Sequence, residues 1–389
     1  MSNERTVFSQ ILDFVPRHQF RACVNRYNGN YRITSFSCFD QYLTMAFAQL
    51  TYRDSLRDTE ICLRALGDKL YRCGFRGKIS RSTLADANEK RNWRIYHDFA
   101  QALITKARQL YVNEDFGITL KNTVYALDAT VIDLCLSLFP WAQHRKHKSA
   151  VKLHTLMDLK GSIPTYIRIT SGAVHEITVF RTMPLEPLAI YVMDKGYIDF
   201  ATLYSFSQSN CFFVIRAKQN TVYYRKCSHP IDKTTGLRSD QTIKLTGPKT
   251  SKLYPAPLRR ISFRDEDQKR TIVFLTNNFQ LDSLTVCQLY KLRWQIELFF
   301  KWIKQHLRIK SFFGTSMNAV KTQIWIAISV YVLVAIIKKE LRLERSLHEI
   351  LQILSILLFE KTPLKQALME NCYTFKEQLN YSQRSLFDL

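Results

Sequence analysis

Three carboxylates in this chain sit where a solvated charge would not ordinarily be found. Asp128 interrupts the apolar stretch YALDATVIDL (125–134), and Asp194 closes LAIYVMD (188–194). Glu297 lies among large apolar side chains in YKLRWQIELFFKWIK (290–304). Acids in apolar surroundings are costly unless they are paired, hydrogen-bonded or metal-bound. A cluster of carboxylate oxygens with neither His nor Cys selects Mg²⁺ or Mn²⁺ over zinc. Two such ions roughly 3.5–4 Å apart would activate an attacking hydroxyl and stabilise a leaving oxygen in phosphodiester chemistry. Singly, an Asp at a strand end is more often a turn or cap residue, so the argument rests on the three together.

The stretch around Glu297 carries a second pattern. Tyr290, Arg293, Glu297 and Lys304 fall at offsets of 0, 3, 7 and 14 along one helix. At 3.6 residues per turn they lie within roughly 60° of arc, so one stripe bears a phenol, a guanidinium, a carboxylate and an ammonium. A carboxylate ringed by cations suits a site that holds metal and grips phosphate. The bland alternative is an exposed, salt-bridged helix face.

The elements that must position these groups follow from the hydrophobic period. Residues 1–115 read as helical: FDQYLTMAFAQL (39–50) and NWRIYHDFAQALITKARQLY (92–111) place apolar groups at three- and four-residue spacing. After Lys121 the pattern changes to short runs rich in β-branched and aromatic residues. VKLHTLMD and SIPTYIRIT flank the turn signal Asp158–Gly161 and read as a hairpin. LAIYVMD and CFFVIRA (211–217) are further strands, giving an α/β pattern on a mixed sheet. Residues 218–270 carry 13 Lys or Arg against 5 acids, with Thr, Ser, Pro and Gly breaks, and read as a basic, β-rich insertion. RTIVFLTNN (270–278) returns to the core, followed by one long amphipathic helix from about Ser283 through Leu307. A buried helix at 324–337, a helical stretch at 345–359 and a polar tail complete the chain.

Composition narrows the partner. Among 389 residues, 56 Lys and Arg outnumber 33 Asp and Glu, a net charge of +23 that calls for a polyanion: nucleic acid first, an anionic membrane surface second. The longest apolar run, residues 324–337, is 14 residues, too short to span a bilayer, so no membrane partner is expected. The N-terminus has no signal-peptide core, and the nine Cys form no C-x-x-C pair. Reduced thiols in a cytoplasmic protein are the simple expectation.

The spacing Tyr290-x2-Arg293-x3-Glu297-x6-Lys304 resembles the Y-R-E-K signature of bacterial insertion-sequence DDE transposases, the cut-and-paste group called the "IS four" family. ALDAT around Asp128 and VMDKGYID around Asp194 are similar to that family's first and second aspartate strands. FSQILDFVPRHQF and KISRSTLADANEKRNWRIY also resemble its N-terminal segments, more loosely.

The resemblance implies a ribonuclease H-like mixed-sheet core interrupted by a mainly β insertion and preceded by a helical N-terminal region. In chain order this gives 1–115 for binding DNA ends, 121–217 and 271–345 for the two parts of the core, 218–270 for the insertion, and 346–389 for a helical tail. It implies that Asp128, Asp194 and Glu297 bind Mg²⁺ or Mn²⁺. Tyr290, Arg293 and Lys304 would contact phosphates of the transposon end. Its partners would be double-stranded DNA, terminal repeats and target alike, bound by a homodimer in the bacterial nucleoid.

Some relatives form a DNA hairpin and flip a base out of the stack, and Trp294 is the stacking residue expected here. The insertion contains no Trp to receive such a base, leaving Tyr223, Tyr224 or Tyr254.

Beyond those motifs, Lys195 beside Asp194 and Lys301 on the helix are further DNA contacts expected from their charge. HRKHKSAVK (144–152), with Arg145 and Lys148, would suit a DNA-backbone track. His144, His147 and His154 match no zinc spacing. His175-Glu176 lies near the sheet and could assist the site, although a structural His is commoner. Two other functions share these features: a ribonuclease H-like nuclease without strand transfer, and a non-catalytic DNA-binding derivative. Possession of all three carboxylates argues against the second.

Overall fold

The structure, a computed structural model of the chain, describes residues 5–67, 69–76, 79–145, 148–265, 269–306 and 312–369; of His144, Arg145 and His306 it describes the backbone alone.

Among the described residues seven α-helices come first: α1 (Val7–Ile11), α2 (Arg17–Arg26), α3 (Cys38–Leu50), α4 (Leu56–Ala65), α5 (Lys69–Arg72), α6 (Arg81–Lys90) and α7 (Arg94–Tyr111). Local chemistry starts several of them. Ser37 and Asp40 form a reciprocal capping box at α3, and Ser55 and Ser80 cap α4 and α6.

The strands are β1 (Val124–Leu134), β2 (Gln143–Arg145), β3 (Lys148–Asp158), β4 (Ile163–Ser171), β5 (Ile190–Met193), β6 (Phe212–Arg216), β7 (Tyr223–His229), β8 (Leu237–Leu245), β9 (Leu258–Asp265) and β10 (Arg270–Thr276). All ten join one sheet in the order β3-β1-β5-β6-β10-β9-β8-β7, with β2 and β4 both paired to β3. β1, β3 and β4 are antiparallel neighbours, whereas β5 runs parallel to β1 and β6 parallel to β5. Three antiparallel strands followed by two parallel ones, in the spatial order β4-β3-β1-β5-β6, is the ribonuclease H-like arrangement expected. The hairpin at 158–161 closes on Gly161 at φ +74°, where a Cβ would meet the Tyr111 ring at 2.2 Å.

The inserted strands β7–β9 do not stand apart. They extend the same sheet through the antiparallel pairing of β9 with β10.

Alternation along β1 sends its side chains into two cores. Val124, Ala126 and Ile132 join one with the N-terminal helices; Tyr125 and Leu127 join the other, beneath α8 (Glu176–Phe180) and α9 (Phe200–Gln208). A short α10 (Thr250–Leu253) precedes β9. On the first side lie α11 (Ser283–Leu292), α12 (Trp294–His306), α13 (Met317–Leu341) and α14 (Leu347–Leu357), followed by α15 (Leu364–Leu368).

α13 is longer than the apolar run alone implied. At 25 residues it is long and apolar enough to cross a bilayer, yet residues 322–337 are all buried within the fold, with α7 packed along it. The Tyr111 hydroxyl donates to the Ala335 carbonyl across that contact at 2.9 Å.

The single helix expected from Ser283 to Leu307 is two helices joined at Arg293. Bonds of the i→i+3 type tighten the chain there, from Arg293 N–H to Tyr290 carbonyl and from Ile296 N–H to Arg293 carbonyl, both 3.2 Å. The period of apolar residues is nearly the same across such a joint, so the sequence pattern does not register it. Leu307 itself lies outside the described residues.

Candidate active site

Parallel pairing of β1 with β5 sets Leu127 opposite Met193, so the next residues, Asp128 and Asp194, lie side by side. Asp128 lies mid-strand in β1. Asp194 is the first residue past β5 and the N-cap of the turn Lys195–Tyr197. Both belong to the even-numbered face of their strands, the face that α11 and α12 cover. Glu297 is in the first turn of α12. Three segments far apart in sequence thus converge at one place.

Arg293, at the joint between the helices, ties two of the acids together. Its Nη1 donates to Asp128 Oδ2 at 2.9 Å and its Nη2 to Glu297 Oε1 at 2.5 Å. Its side chain is 17% exposed, against 24% for Asp128 and 56% for Glu297. The charge-assisted bonds are therefore partly shielded from solvent at the Asp128 end and open at the Glu297 end. Asp128 Oδ1 also accepts from the N–H of Ala129 at 2.8 Å.

Tyr290, one turn earlier, donates its hydroxyl to Asp194 Oδ1 at 3.1 Å, while its ring stacks obliquely on Phe274. Burial raises the Asp128 pKa to about 6; the Ala129 N–H and Arg293 oppose the rise, and the charges of Glu297 and Asp194 add to it.

A cleft of about 530 Å³ opens over this end of β1, lined by Asp128, Ala129, Thr130, Glu297, Phe300, Lys301, Lys304 and Gln305. Lys304 is half-buried in its wall and Lys301 exposed. Asp194 does not line the cleft; it lies under Tyr290. On the far side of α12 a second cavity of about 510 Å³ is walled by Phe299, Trp302, Tyr331 and Leu351, with Lys301 and Gln305 shared between the two.

The donors fit a hard divalent cation in kind: carboxylate oxygens, without thiolate or imidazole. Among the described residues no three His, Cys, Asp or Glu side chains stand ready around one point, and the Arg293 guanidinium lies between Asp128 and Glu297. The buried Arg293 Nε has no hydrogen-bond partner among the described residues.

The other expected residues spread more widely. Trp294 is 51% exposed rather than packed in the core, and Lys148 and Lys195 are exposed. The side chain of Arg145, like those of His144 and His147, lies outside the described residues. Lys152, in the same basic stretch, points inward: its Nζ donates to the Val174 carbonyl at 2.9 Å and to Glu176 at 3.3 Å, so it is no part of a surface track. His154 is buried against Thr170, and burial with the neighbouring Lys152 charge lowers its pKa to about 4. His175 caps α8 by accepting the Ile177 N–H.

Of the three insertion tyrosines, Tyr254 is buried and bonded to Ser207, and Tyr223 lies half-buried under the Arg260 guanidinium. Tyr224 is 48% exposed.

Residues 119–333 match a family profile described as a transposase DDE domain, and residues 3–76 match one described as a domain of unknown function. A putative transposase of Sinorhizobium fredii is 32% identical over 282 residues, covering 72% of this chain and 77% of its own. A probable transposase for an insertion sequence element of Geobacillus stearothermophilus is 31% identical over 53% of this chain and 54% of its own. A putative transposase for an insertion sequence element of a Synechocystis strain is 21% identical over 82% of this chain and 88% of its own. Among solved structures, a piggyBac transposase synaptic complex with hairpin DNA aligns at 9% identity and a TM-score of 0.43, over 94% of this chain and 80% of that one.

Proposed function

Because the chain belongs to the DDE transposase family of insertion sequences, we propose that it cuts DNA at the ends of its own element and joins the freed 3′ ends to target DNA, using Asp128, Asp194 and Glu297 as the catalytic carboxylates. The observation that carries this reading is the convergence of the three acids from β1, the end of β5 and α12, with Arg293 bonded to Asp128 and Glu297 and the neighbouring Tyr290 bonded to Asp194. Mg²⁺ or Mn²⁺ held by these oxygens would supply the Lewis acid that activates an attacking water or 3′-hydroxyl and stabilises the leaving oxygen.

The protein's own groups do the rest. Tyr290 fixes one oxygen of Asp194. Arg293 pairs with both Asp128 and Glu297, and a DNA phosphate is the natural competitor for its fork of donors. Lys304 and Lys301 give the cleft the positive wall that a phosphodiester backbone requires. Exposed Trp294 offers a flat ring to an unstacked base, and exposed Tyr224 is the insertion residue most open to such a contact. Lys148 and Lys195 are proposed backbone contacts. The N-terminal helices are proposed to bind the terminal repeats, with two copies of the chain pairing the ends.

The test is cleavage and strand transfer on DNA carrying the element's ends, in Mg²⁺, with wild type beside Glu297→Gln. Wild-type cleavage and joining, with loss of activity by orders of magnitude and retained DNA binding in the variant, is expected. Cleavage without joining would favour a nuclease. Binding without cleavage by either protein would leave a DNA-binding derivative. Equal activity in both would remove Glu297 from the mechanism.

A further inference from the structure

Two cations from different elements crowd one indole at the seam between the N-terminal helices and the core. Arg94, the first residue of α7, and Lys321, near the start of α13, both lie over the Trp93 ring, 5.0 and 4.6 Å from its centroid. The two helices run parallel, which brings their starting ends together. At one end the Trp93 N–H donates to the Asn318 side chain at 3.3 Å, and at the other Tyr111 meets Ala335. Asn318 also donates to the carbonyls of Asn88 and Arg91, at 2.9 and 2.6 Å, so the seam is pinned.

Among the described residues no carboxylate is bonded to either cation. The one acid in α7, Asp98, is taken by Arg26, Tyr27 and His97, and Glu89 accepts the Thr315 N–H. Neither helix carries an acid in its first turn. Lys321 is half-buried, and burial, then the Arg94 charge, lowers its pKa. Trp93 offsets part of this repulsion through its π face, yet an uncharged side chain at either position would avoid it. A like-charged pair held this way is favourable only against an anion.

The position of the seam says which anion. Trp141 Nε1 donates to the Thr315 carbonyl at 2.7 Å, joining the start of α13 to the turn that follows β1. From Asp128 to Leu134, where β1 ends, the strand covers roughly 20 Å. A duplex with its end over Asp128 and Glu297 crosses that distance in about six base pairs.

We propose that Arg94 and Lys321, held against Trp93, clamp a backbone phosphate of the element's own duplex, several base pairs inside the end that is cut. This rests on the DNA reading above. The contact reads no sequence; it sets the register of the duplex against the cleft. One cation comes from each side of the seam, so the clamp exists only when α7 and α13 are docked.

The test compares full-length wild type with Lys321→Gln, Arg94→Gln and Lys321→Arg by fluorescence anisotropy on a duplex of the element's end, between about 50 and 200 mM salt, and by thermal unfolding without DNA. Each Gln variant should lose several-fold in affinity at the low-salt end and reduce the slope of log affinity against log salt by about one. Its unfolding midpoint should equal or exceed that of wild type, because a repelling charge has gone. Lys321→Arg should keep the wild-type slope. A neutral methylphosphonate moved along the duplex should weaken wild-type binding at one phosphate inside the end and leave Lys321→Gln indifferent there. Unchanged slopes overturn the proposal; with a lowered midpoint they make the cluster structural. If inorganic phosphate raises the wild-type midpoint while all slopes stay equal, the anion is a free one and the clamp on DNA fails. If wild type itself binds no duplex, the DNA reading fails first and this proposal with it.

Discussion

Asp128 and His154 lie on neighbouring strands and respond to burial in opposite directions. Asp128 gains proton affinity, whereas His154 loses it. With a folded pKa near 4 against about 6.5 unfolded, His154 is neutral in the fold where the unfolded chain would bind a proton. Stability is therefore lost as pH falls from about 6.5 towards 4, and none is lost to this group above that window. His154→Gln, which can keep a bond to Thr170, should flatten the acid limb. Urea midpoints at pH 7 and pH 5 should fall less between the two for the variant than for wild type; an equal fall would place the acid sensitivity elsewhere. At this scale the three acids were legible because charge inside an apolar run is anomalous. The stripe on the helix did not say that Arg293 would hold Asp128, since periodicity gives a direction and not a partner.

Between elements, the inserted strands are fastened to the helix that leads into the site. Arg259 on β9 donates to Asp240 on β8 at 2.6 Å, with 8% and 1% of their side chains exposed. The same guanidinium reaches Ser283, the first residue of α11, and the Leu281 carbonyl, while Ser283 Oγ donates to Asp240 at 2.6 Å. Replacing Asp240 with Ala would leave a buried guanidinium uncompensated, a loss of about 3–5 kcal/mol. Denaturant unfolding should show that loss, and hydrogen exchange should rise in α11 as well as in β8. A loss under 1 kcal/mol with α11 still protected would mean the network does not join them. The strands themselves could be anticipated from their β-branched runs and turn residues. Their membership in the core sheet could not, because pairing across many strands is a long-range property. The break at Arg293 was hidden for a related reason: two helices in near register share one period.

Over the whole molecule, a net charge of +23 makes salt the variable that dominates binding. If six or more phosphates are contacted, affinity for any duplex should fall by about 10³-fold or more between 50 and 200 mM salt. Fluorescence anisotropy on unrelated DNA would measure it, and a flat response would dismiss the polyanion argument. A larger consequence lies in the packing of α7 along α13. A ribosome emits α7 about 200 residues before it emits α13, tens of seconds at ordinary synthesis rates of roughly 5–20 residues per second. Through that interval α7 lacks α13, and only the part of its apolar face around Phe99, which packs on Phe20 and Tyr42, has its cover. Translation that stops early would release a chain whose first half cannot finish folding. The helices proposed to grip DNA ends would thus become competent only when the catalytic segments have been made.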